Sequence, residues 1–408
     1  MRLMLRKRPG PAAWTIAVAT ALSVVVAACG SSGGTSRNAH MLQSLGKTEG
    51  QLNLVEWPGY VESQWVKPFE QQTGCQVHNK DAGTSDEMVQ LMRTGQYDGV
   101  SASGNATERL VDGGDVSPVN VNLVPNYKTI FSDLKNQPYN TFGGVHYGIP
   151  HGRGANLLMW RTDHLKTPLS WSVLLDPTQA KRYSGKLSVY DDPIYIADAA
   201  VYLKAHNPSL KITNPYELDS KQFSAAVSLL KQQRPYVGEY WSDAAKQIQS
   251  YASGDDWVGT TWQYQYFALK GKKVPVGISP ASQGFVPNEG ATGWSDTWMI
   301  SSKAKHPNCM YKWMNWIVSP KVNAEVAQYF GEAPAQSTAC APATLTAAAK
   351  VIGVPADTSF CNEYHAGLPS FWSRVYYWQT PTSNCGDSRG NACKNYNDWV
   401  NAWNEIKG

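Results

Sequence analysis

The chain has 408 residues, 42% of them hydrophobic and 17% charged, and its net charge of +4 arises entirely within the first 28 residues. This apolar content excludes a disordered protein, and the balanced charge of the remainder excludes a nucleic-acid-binding surface of clustered Lys and Arg. The length exceeds what one hydrophobic core usually serves, so two domains are expected.

The chain begins with a segment typical of a signal peptide. Three consecutive basic residues precede an apolar run over residues 14–28 that is too short for a comfortable transmembrane helix. The run ends in Val-Ala-Ala-Cys, which resembles a bacterial lipobox with Cys29 as the lipid acceptor; the alternative is a short membrane anchor followed by a chance Cys. We predict a signal peptide over residues 1–28, and a lipidated Cys29 with a flexible tether over residues 29–50. The mature protein would be lipid-anchored to the outer face of the cell membrane.

Short strands then alternate with helices, first over residues 52–112. Three strand–helix steps in succession favour a parallel sheet. The predicted strands are Leu52–Val55, Cys75–His78 and Tyr97–Ser101, and the predicted helices are Val61–Gln72, Thr84–Gly95 and Glu108–Asp112.

A second set of elements follows over residues 187–330, and it favours a second α/β region. The predicted strands are Leu187–Tyr190, Val258–Trp262 and Thr297–Ile300, and the predicted helices are Ala197–Lys204, Phe223–Gln233, Met310–Val318 and Val322–Phe330.

The cysteines after Cys29 are even in number, which in an exported chain predicts disulfides. They are Cys75, Cys309, Cys340, Cys361, Cys385 and Cys393. Cys385 and Cys393 enclose a polar loop and are the best candidates for a local pair. Cys309 and Cys340 bracket two predicted helices and could join their ends. No CxxC motif occurs, so no metal site is predicted.

Motifs of catalysis give no clear signal. No phosphate-binding loop, dinucleotide-binding turn or zinc-protease helix occurs, and the one GxSxG match lies in the tether. His146 and His151 could contact one ligand, or they are ordinary surface histidines. Tyr376 and Tyr377 could resemble the paired tyrosines of ferric-ion binders, or they pack a helix face. We predict no enzyme activity and no cofactor.

Several segments, in order, resemble the polyamine-binding proteins of the PotD/PotF type, which are solute receptors of ABC importers. The segments are LNLVEWPGYV (52–61), FEQQTG (69–74), SDEMVQLM (85–92), YDGVSAS (97–103), YGIPHGRGANLLMW (147–160), LSWSVLLDP (169–177), YSGKLSVYDDP (183–193), GWSDTWMIS (293–301) and NWIVSPKVNAEVAQYFG (315–331). The resemblance covers residues 50–335. It implies the type II periplasmic-binding fold, in which two α/β lobes enclose a ligand in the cleft between them.

The resemblance also implies the domain organisation. Lobe 1 would comprise residues 51–153 and 294–335, and lobe 2 residues 154–293 and 336–408, the last segment being a Cys- and Trp-rich extension. The chain would cross between the lobes near Gly152–Gly154 and Gly290–Gly293, because glycine can take up the dihedral changes of a hinge.

A cleft for polyamines needs carboxylates for the ammonium groups and flat apolar faces for the methylenes, and aromatic rings serve both needs. The positions that match the family's ligand box are Trp57, Tyr60, Ser103, Asp192, Trp262, Trp294 and Asp296. Further candidates are Glu56, Asn105, Tyr195, Ser242, Gln265 and Glu332, and the extension could add Trp372 or Glu363. Asn105 replaces a ring of the family, while Tyr195 and Gln265 replace acids, which leaves the exact amine open.

The predicted function is capture of a spermidine- or putrescine-like cation by a monomeric receptor that delivers it to the transmembrane subunits of an ABC permease. A receptor for a sugar, an amino sugar or an aminophosphonate is the alternative, because Trp faces also suit sugars. A secreted glycosidase is a further alternative, with Asp192 and Asp296 as its two carboxyls.

Overall fold

A computed structural model describes residues 41–166, 168, 170–278 and 287–408. The predicted signal peptide, Cys29 and the first part of the tether lie outside the described residues, as does Leu169 of the family-like segments. Within the described ranges, no helix combines the length and the apolar character that crossing a membrane requires.

Strands and helices alternate along the described chain. The strands are β1 (Gln51–Glu56), β2 (Gln76–Asp81), β3 (Gly99–Ala102), β4 (Val116–Ser117), β5 (Thr141–Phe142), β6 (Val145–His146), β7 (Ile149–Ala155), β8 (Leu157–Arg161), β9 (Leu187–Tyr190), β10 (Val237–Trp241), β11 (Val258–Thr261), β12 (Val276–Ile278), β13 (Ala291–Ser301), β14 (Ala333–Pro334) and β15 (Val375–Tyr377). The helices are α1 (Ser63–Thr73), α2 (Ser85–Arg93), α3 (Gly104–Asp112), α4 (Ser172–Leu175), α5 (Pro177–Ala180), α6 (Ile196–His206), α7 (Ser220–Gln233), α8 (Ala244–Ser253), α9 (Gln263–Gly271), α10 (Pro307–Ile317), α11 (Pro320–Phe330), α12 (Pro342–Ile352), α13 (Phe360–Glu363), α14 (Pro369–Trp372) and α15 (Tyr396–Lys407).

Helix boundaries follow the local signals in the sequence. The hydroxyl of Thr84 accepts the backbone N–H of Glu87 at 3.2 Å, which begins α2. Gly74 ends α1 with a φ of 74°, in the left-handed region that favours glycine. One strand is much longer than predicted. β13 is buried over its whole length, and its first half carries polar residues that hide it from an apolar pattern.

Two sheets organise two α/β lobes, as the type II periplasmic-binding fold requires. The first sheet has the order β14-β7-β13-β3-β1-β2, with β4 and β15 also paired to β13. The second has the order β10-β9-β11-β8-β12. β1, β2 and β3 are parallel to each other, and so are β9, β10 and β11. The predicted α/β class is therefore confirmed.

The chain passes between the sheets next to the glycines singled out in the sequence. β7 lies in the first sheet and β8 in the second, while β12 lies in the second sheet and β13 in the first. These glycines permit close packing. A Cβ on Gly154 would lie 2.3 Å from the ring of Trp294, and one on Gly293 would lie 2.6 Å from the carbonyl oxygen of Gly154. Of these residues, only Gly290 has a positive φ, of 89°.

The C-terminal extension contributes to both lobes. β15 pairs in parallel with the start of β13 in the first sheet. α15 contacts α7 beside the second sheet. The segment between β15 and α15 therefore runs from one lobe to the other.

Three disulfides join the six cysteines. They are Cys75–Cys309, Cys340–Cys361 and Cys385–Cys393. The predicted local pair, Cys385–Cys393, is confirmed. A Cys309–Cys340 pair is wrong, because α10 places Cys309 beside the residue that precedes β2, with 5.9 Å between the Cα atoms of Cys75 and Cys309.

We expect the long-range disulfide to stabilise the protein more than the local one. Cys75–Cys309 spans 234 residues and Cys385–Cys393 spans 8, so chain entropy predicts losses of about 5 and about 2.5 kcal/mol for the Cys→Ser double variants. Urea unfolding of both variants measures the difference. Equal losses would contradict an entropic origin of the stabilisation.

Candidate functional site

The predicted site residues lie where parallel strands of both sheets end. Trp57 directly follows β1, and Ser103 directly follows β3. In the second lobe, Ser242 follows β10 and Trp262 follows β11. Loops at the carboxyl ends of parallel strands are the usual binding positions of α/β folds, because the strand ends bring distant segments to one edge.

These loops enclose a cavity of about 600 Å³ that both lobes line. Its aromatic lining residues are Trp57, Trp262, Tyr264, Trp294, Tyr329, Phe330 and Trp378. Its side chains with polar groups or charges are Thr84, Ser103, Ser242, Asp243 and Asp296. Among the described residues, no Lys, Arg or His lines this cavity. The cavity is thus aromatic, acidic and without basic side chains.

Asp296 is the buried carboxyl at the first-lobe wall. Its Oδ1 accepts a hydrogen bond from the hydroxyl of Ser103 at 2.5 Å, and its Oδ2 accepts one from the hydroxyl of Tyr60 at 2.7 Å. Because the Ser103 hydroxyl donates to Asp296, it makes no capping bond at the start of α3. The donors come from segments far apart in the chain, so the fold itself assembles this carboxyl site.

Tyr60 connects Asp296 to a second buried acid. Its hydroxyl oxygen also lies 2.9 Å from Oε2 of Glu332. A phenol has one proton and can donate only one strong hydrogen bond at a time, so Asp296 and Glu332 compete for it unless one carboxyl is protonated. Burial raises the pKa of Asp296 to about 6, and the negative charge of Glu332 adds to the effect.

His151 lies behind this network. Its Nδ1 is 3.4 Å from Oε1 of Glu332, and its Nε2 is 3.0 Å from the hydroxyl oxygen of Ser101. His151 is fully buried, so its interpretation as a surface histidine is wrong. Gly152 makes room for the acid, since a Cβ there would lie 2.0 Å from the carboxyl of Glu332. His146 is only half-buried and bonds Thr141 instead.

Rings of the two lobes meet across the cavity. The ring centroids of Trp262 and Trp294 lie 6.3 Å apart, and those of Tyr264 and Phe330 lie 6.2 Å apart. Four tryptophans line the cavity, Trp57, Trp262, Trp294 and Trp378, and their indole N–H groups are buried without an acceptor among the described residues. A bound molecule can therefore contact the faces of these rings.

Asp192 does not line the cavity. It is 4% exposed, and its carboxylate accepts the backbone N–H of Ile194 at 2.9 Å. Burial raises its pKa to about 7. The predicted Asp192 and Asp296 pair therefore does not face one common space, because Asp192 caps its own turn.

Other candidates from the sequence also lie outside the cavity lining. Tyr195 packs in the second-lobe core, where its hydroxyl accepts a bond from Gln233 at 3.1 Å. Gln265 bonds Gln247 at 3.2 Å. Glu56 is buried against Asn79, and burial raises its pKa to about 9. Each of these three side chains has a hydrogen bond to another protein group.

Asn105 and the candidates of the extension are likewise held elsewhere. Asn105 accepts a hydrogen bond from Ser85 at 2.8 Å. Trp372 lies over the guanidinium of Arg153 at 4.3 Å, and Glu363 is exposed on α13. None of the three lines the cavity.

Sequence reasoning missed several residues of the lining, among them Asp243, Tyr264 and Trp378. Asp243 follows Ser242, and its side chain accepts the N–H of Ala245 at 2.8 Å to begin α8. An Asp before a helical pattern predicts a helix N-cap, but the pattern does not show that the same residue also lines a cavity. Tyr264 follows Trp262 closely and could have been inferred from that neighbour. Trp378 belongs to the extension, which lies beyond the segments that resemble the family.

Comparison with known proteins gives one family. The profile described as "Bacterial extracellular solute-binding protein" matches residues 64–352. The chain is 22% identical over 287 residues to the putrescine/cadaverine-binding protein of Pseudomonas aeruginosa, covering 69% of this chain and 78% of that protein. It is 25% identical over 285 residues to the spermidine/putrescine-binding periplasmic protein of Escherichia coli, covering 69% and 76%.

Solved structures share the fold. The substrate-binding protein PotD of Streptococcus pneumoniae matches with a TM-score of 0.65 at 15% identity, covering 87% of this chain and 97% of that one. A putative spermidine/putrescine transporter protein of Listeria monocytogenes matches with a TM-score of 0.67 at 15% identity, covering 88% and 98%.

We expect Asp296→Asn to stabilise the ligand-free protein at pH 8. A folded-state pKa of about 6 lies above the unfolded value of about 3.9, so the ionised carboxyl costs about 3 kcal/mol above pH 6, and this cost vanishes as the pH falls below 4. Thermal unfolding of the variant and the parent protein at pH 8 and pH 4 tests this. Destabilisation of the variant at pH 8 would contradict it.

Proposed function

The chain belongs to the bacterial extracellular solute-binding proteins, and on this premise we propose that it captures a small polyamine-type cation outside the cell and delivers it to the permease of an ABC importer. The family is one of solute-binding transport proteins and not an enzyme class. Closure of the two lobes around the solute would create the form that the permease recognises.

The charge and the surface of the cavity carry this proposal. Asp243 and Asp296 contribute carboxyls to a space whose walls are aromatic and whose lining, in the described residues, has no basic side chain. An ammonium group inside needs a carboxylate, because a buried unpaired charge is costly. The ring faces attract a cation by about 0.5 to 2 kcal/mol each and also cover methylene groups.

The relatives support the same class of ligand. Their names state binding of putrescine, cadaverine or spermidine. These molecules combine ammonium groups with apolar methylene chains, which is the pattern that Asp296 and the four cavity tryptophans complement. We extend this ligand class to the present chain.

We also propose that the protein is a monomer anchored through a lipid on Cys29. The lipobox-like sequence and the Gly/Ser-rich tether support the lipid anchor. The relatives include periplasmic proteins, which supports a location outside the cytoplasm.

One observation favours a second candidate, a hydroxylated ligand such as an amino sugar. The cavity is lined by the rings of Trp57, Trp262, Trp294 and Trp378, and flat ring faces also suit the apolar faces of a sugar. The glycosidase hypothesis has less support, since Asp192 and Asp296 do not share the cavity.

Calorimetric titration tests the proposal directly. We expect the purified protein to bind putrescine or spermidine, and Asp296→Asn to weaken that binding about 100-fold, because it removes the partner of a buried ammonium. Asp198→Asn is the matched control, because Asp198 is an equally buried acid that bonds Thr292 away from the cavity.

Two results would count against a cation receptor. One is a loss of less than tenfold in Asp296→Asn. The other is that no amine binds, agmatine included, while glucosamine or maltose does bind, which would favour the hydroxylated ligand.

Binding should also depend on pH. Asp296 must be ionised to pair with an ammonium, and its pKa of about 6 means that affinity is complete above pH 7 and about tenfold weaker at pH 5. The amine stays protonated throughout this range. Titrations of putrescine at pH 5, 6, 7 and 8 measure the profile, and Asp296→Asn should flatten it. An equal profile in both proteins would show that another group controls it.

A further inference from the structure

Asp192 lies close in sequence to Tyr190, whose ring packs against the C-terminal extension. Tyr190, two residues before it, stacks on Trp378 with 5.7 Å between the ring centroids and 8° between the planes. Tyr396 lies at the start of α15, and burial, together with the nearby Asp192 carboxylate, raises the pKa of its phenol. The hydroxyl of Tyr396 donates to Asp86 at 2.8 Å, and Arg109 lies 4.0 Å above its ring.

Trp378 is held firmly in the position where it lines the cavity. Its backbone N–H donates to the carbonyl oxygen of Gly293 at 2.7 Å, which continues the pairing of β15 with β13. Two residues later, the hydroxyl of Thr380 donates to the carbonyl oxygen of Asn105 at 3.1 Å. Gly104 permits this approach, because a Cβ there would lie 1.8 Å from the carbonyl oxygen of Trp378.

We propose that Trp378 is a specificity-determining residue that closes the cleft on the side of Asp192 and so restricts the receptor to short cations. The inference rests on the proposed function of the cavity. It follows from three facts: Trp378 lines the cavity, Asp192 does not, and the ring of Trp378 stacks on Tyr190 beside Asp192.

The acids that line the cavity limit the number of ammonium groups that the site can pair. Asp296 and Asp243 are the acids of the lining. A diamine such as putrescine can use both, whereas the longer triamine spermidine needs further length and a third acceptor, which Trp378 separates from the cavity. We therefore assign diamines, and not triamines, as the substrate class.

A double-mutant design separates Trp378 from Asp192. In the parent protein, Asp192→Asn should change the affinity for putrescine by less than twofold. Trp378→Ala should raise the ratio of spermidine to putrescine affinity by at least about tenfold, as one newly paired ammonium predicts. Asp192→Asn in the Trp378→Ala background should remove that gain. Trp378→Phe keeps a ring at the position and is the matched control, with no gain expected.

Each outcome is decisive. Loss of putrescine binding in Asp192→Asn, with Asp198→Asn unaffected, would overturn the inference, because Asp192 would then be a ligand group of the parent protein. Equal affinity of the parent for both amines, or no gain in Trp378→Ala, would also overturn it. If Trp378→Ala does not fold, as circular dichroism would show, the Asp192→Asn result and the parent's amine preference still decide. Binding of no amine at all is the separate failure of the proposed function.

Discussion

The need to surround one buried carboxyl with donors constrains much of the first lobe. Asp296 lies in the middle of β13, and its hydrogen-bond partners, Ser103 and Tyr60, are 193 and 236 residues away in sequence. A buried carboxyl without such partners would be strongly destabilising. The pairing of β13 with β3 and β7, and the absence of a side chain at Gly152, are therefore parts of one arrangement. This arrangement keeps the negative charge of Asp296 in position for a ligand and lowers the stability of the protein.

Sequence patterns predicted many of the elements, because strand ends, caps and C-terminal glycines are encoded within a few residues. The resemblance to the family, and not a local pattern, indicated Trp57, Ser103 and Trp262 at the ends of their strands. The partner of Cys309 was not predicted correctly, since disulfide geometry depends on how distant elements pack. Asp192 was predicted as a ligand group because its turn resembles the family, but its carboxylate accepts a backbone N–H of that turn and does not line the cavity.

The composition shows an excess of Trp and Tyr but does not show which of these residues line a binding site. The chain has 16 Trp and 21 Tyr against 9 Phe. Some of these rings line the cavity, but Trp298, Trp313 and Trp399 are buried in the hydrophobic cores with no part in it. Only the tertiary structure separates the two uses, because a Trp after a strand and a Trp inside a core helix have the same chemistry. Trp378 shows this most clearly, since it combines packing against Tyr190 with a face on the cavity.

The topology of the first sheet has a consequence for the order of folding. Its strands β1, β2 and β3 are made early, yet β3 pairs with β13, and β13 in turn pairs with β15, which ends at Tyr377. Until those late strands leave the ribosome, the early strands lack their central neighbour and keep an open edge. The nascent chain therefore has no complete first sheet until its synthesis is nearly finished.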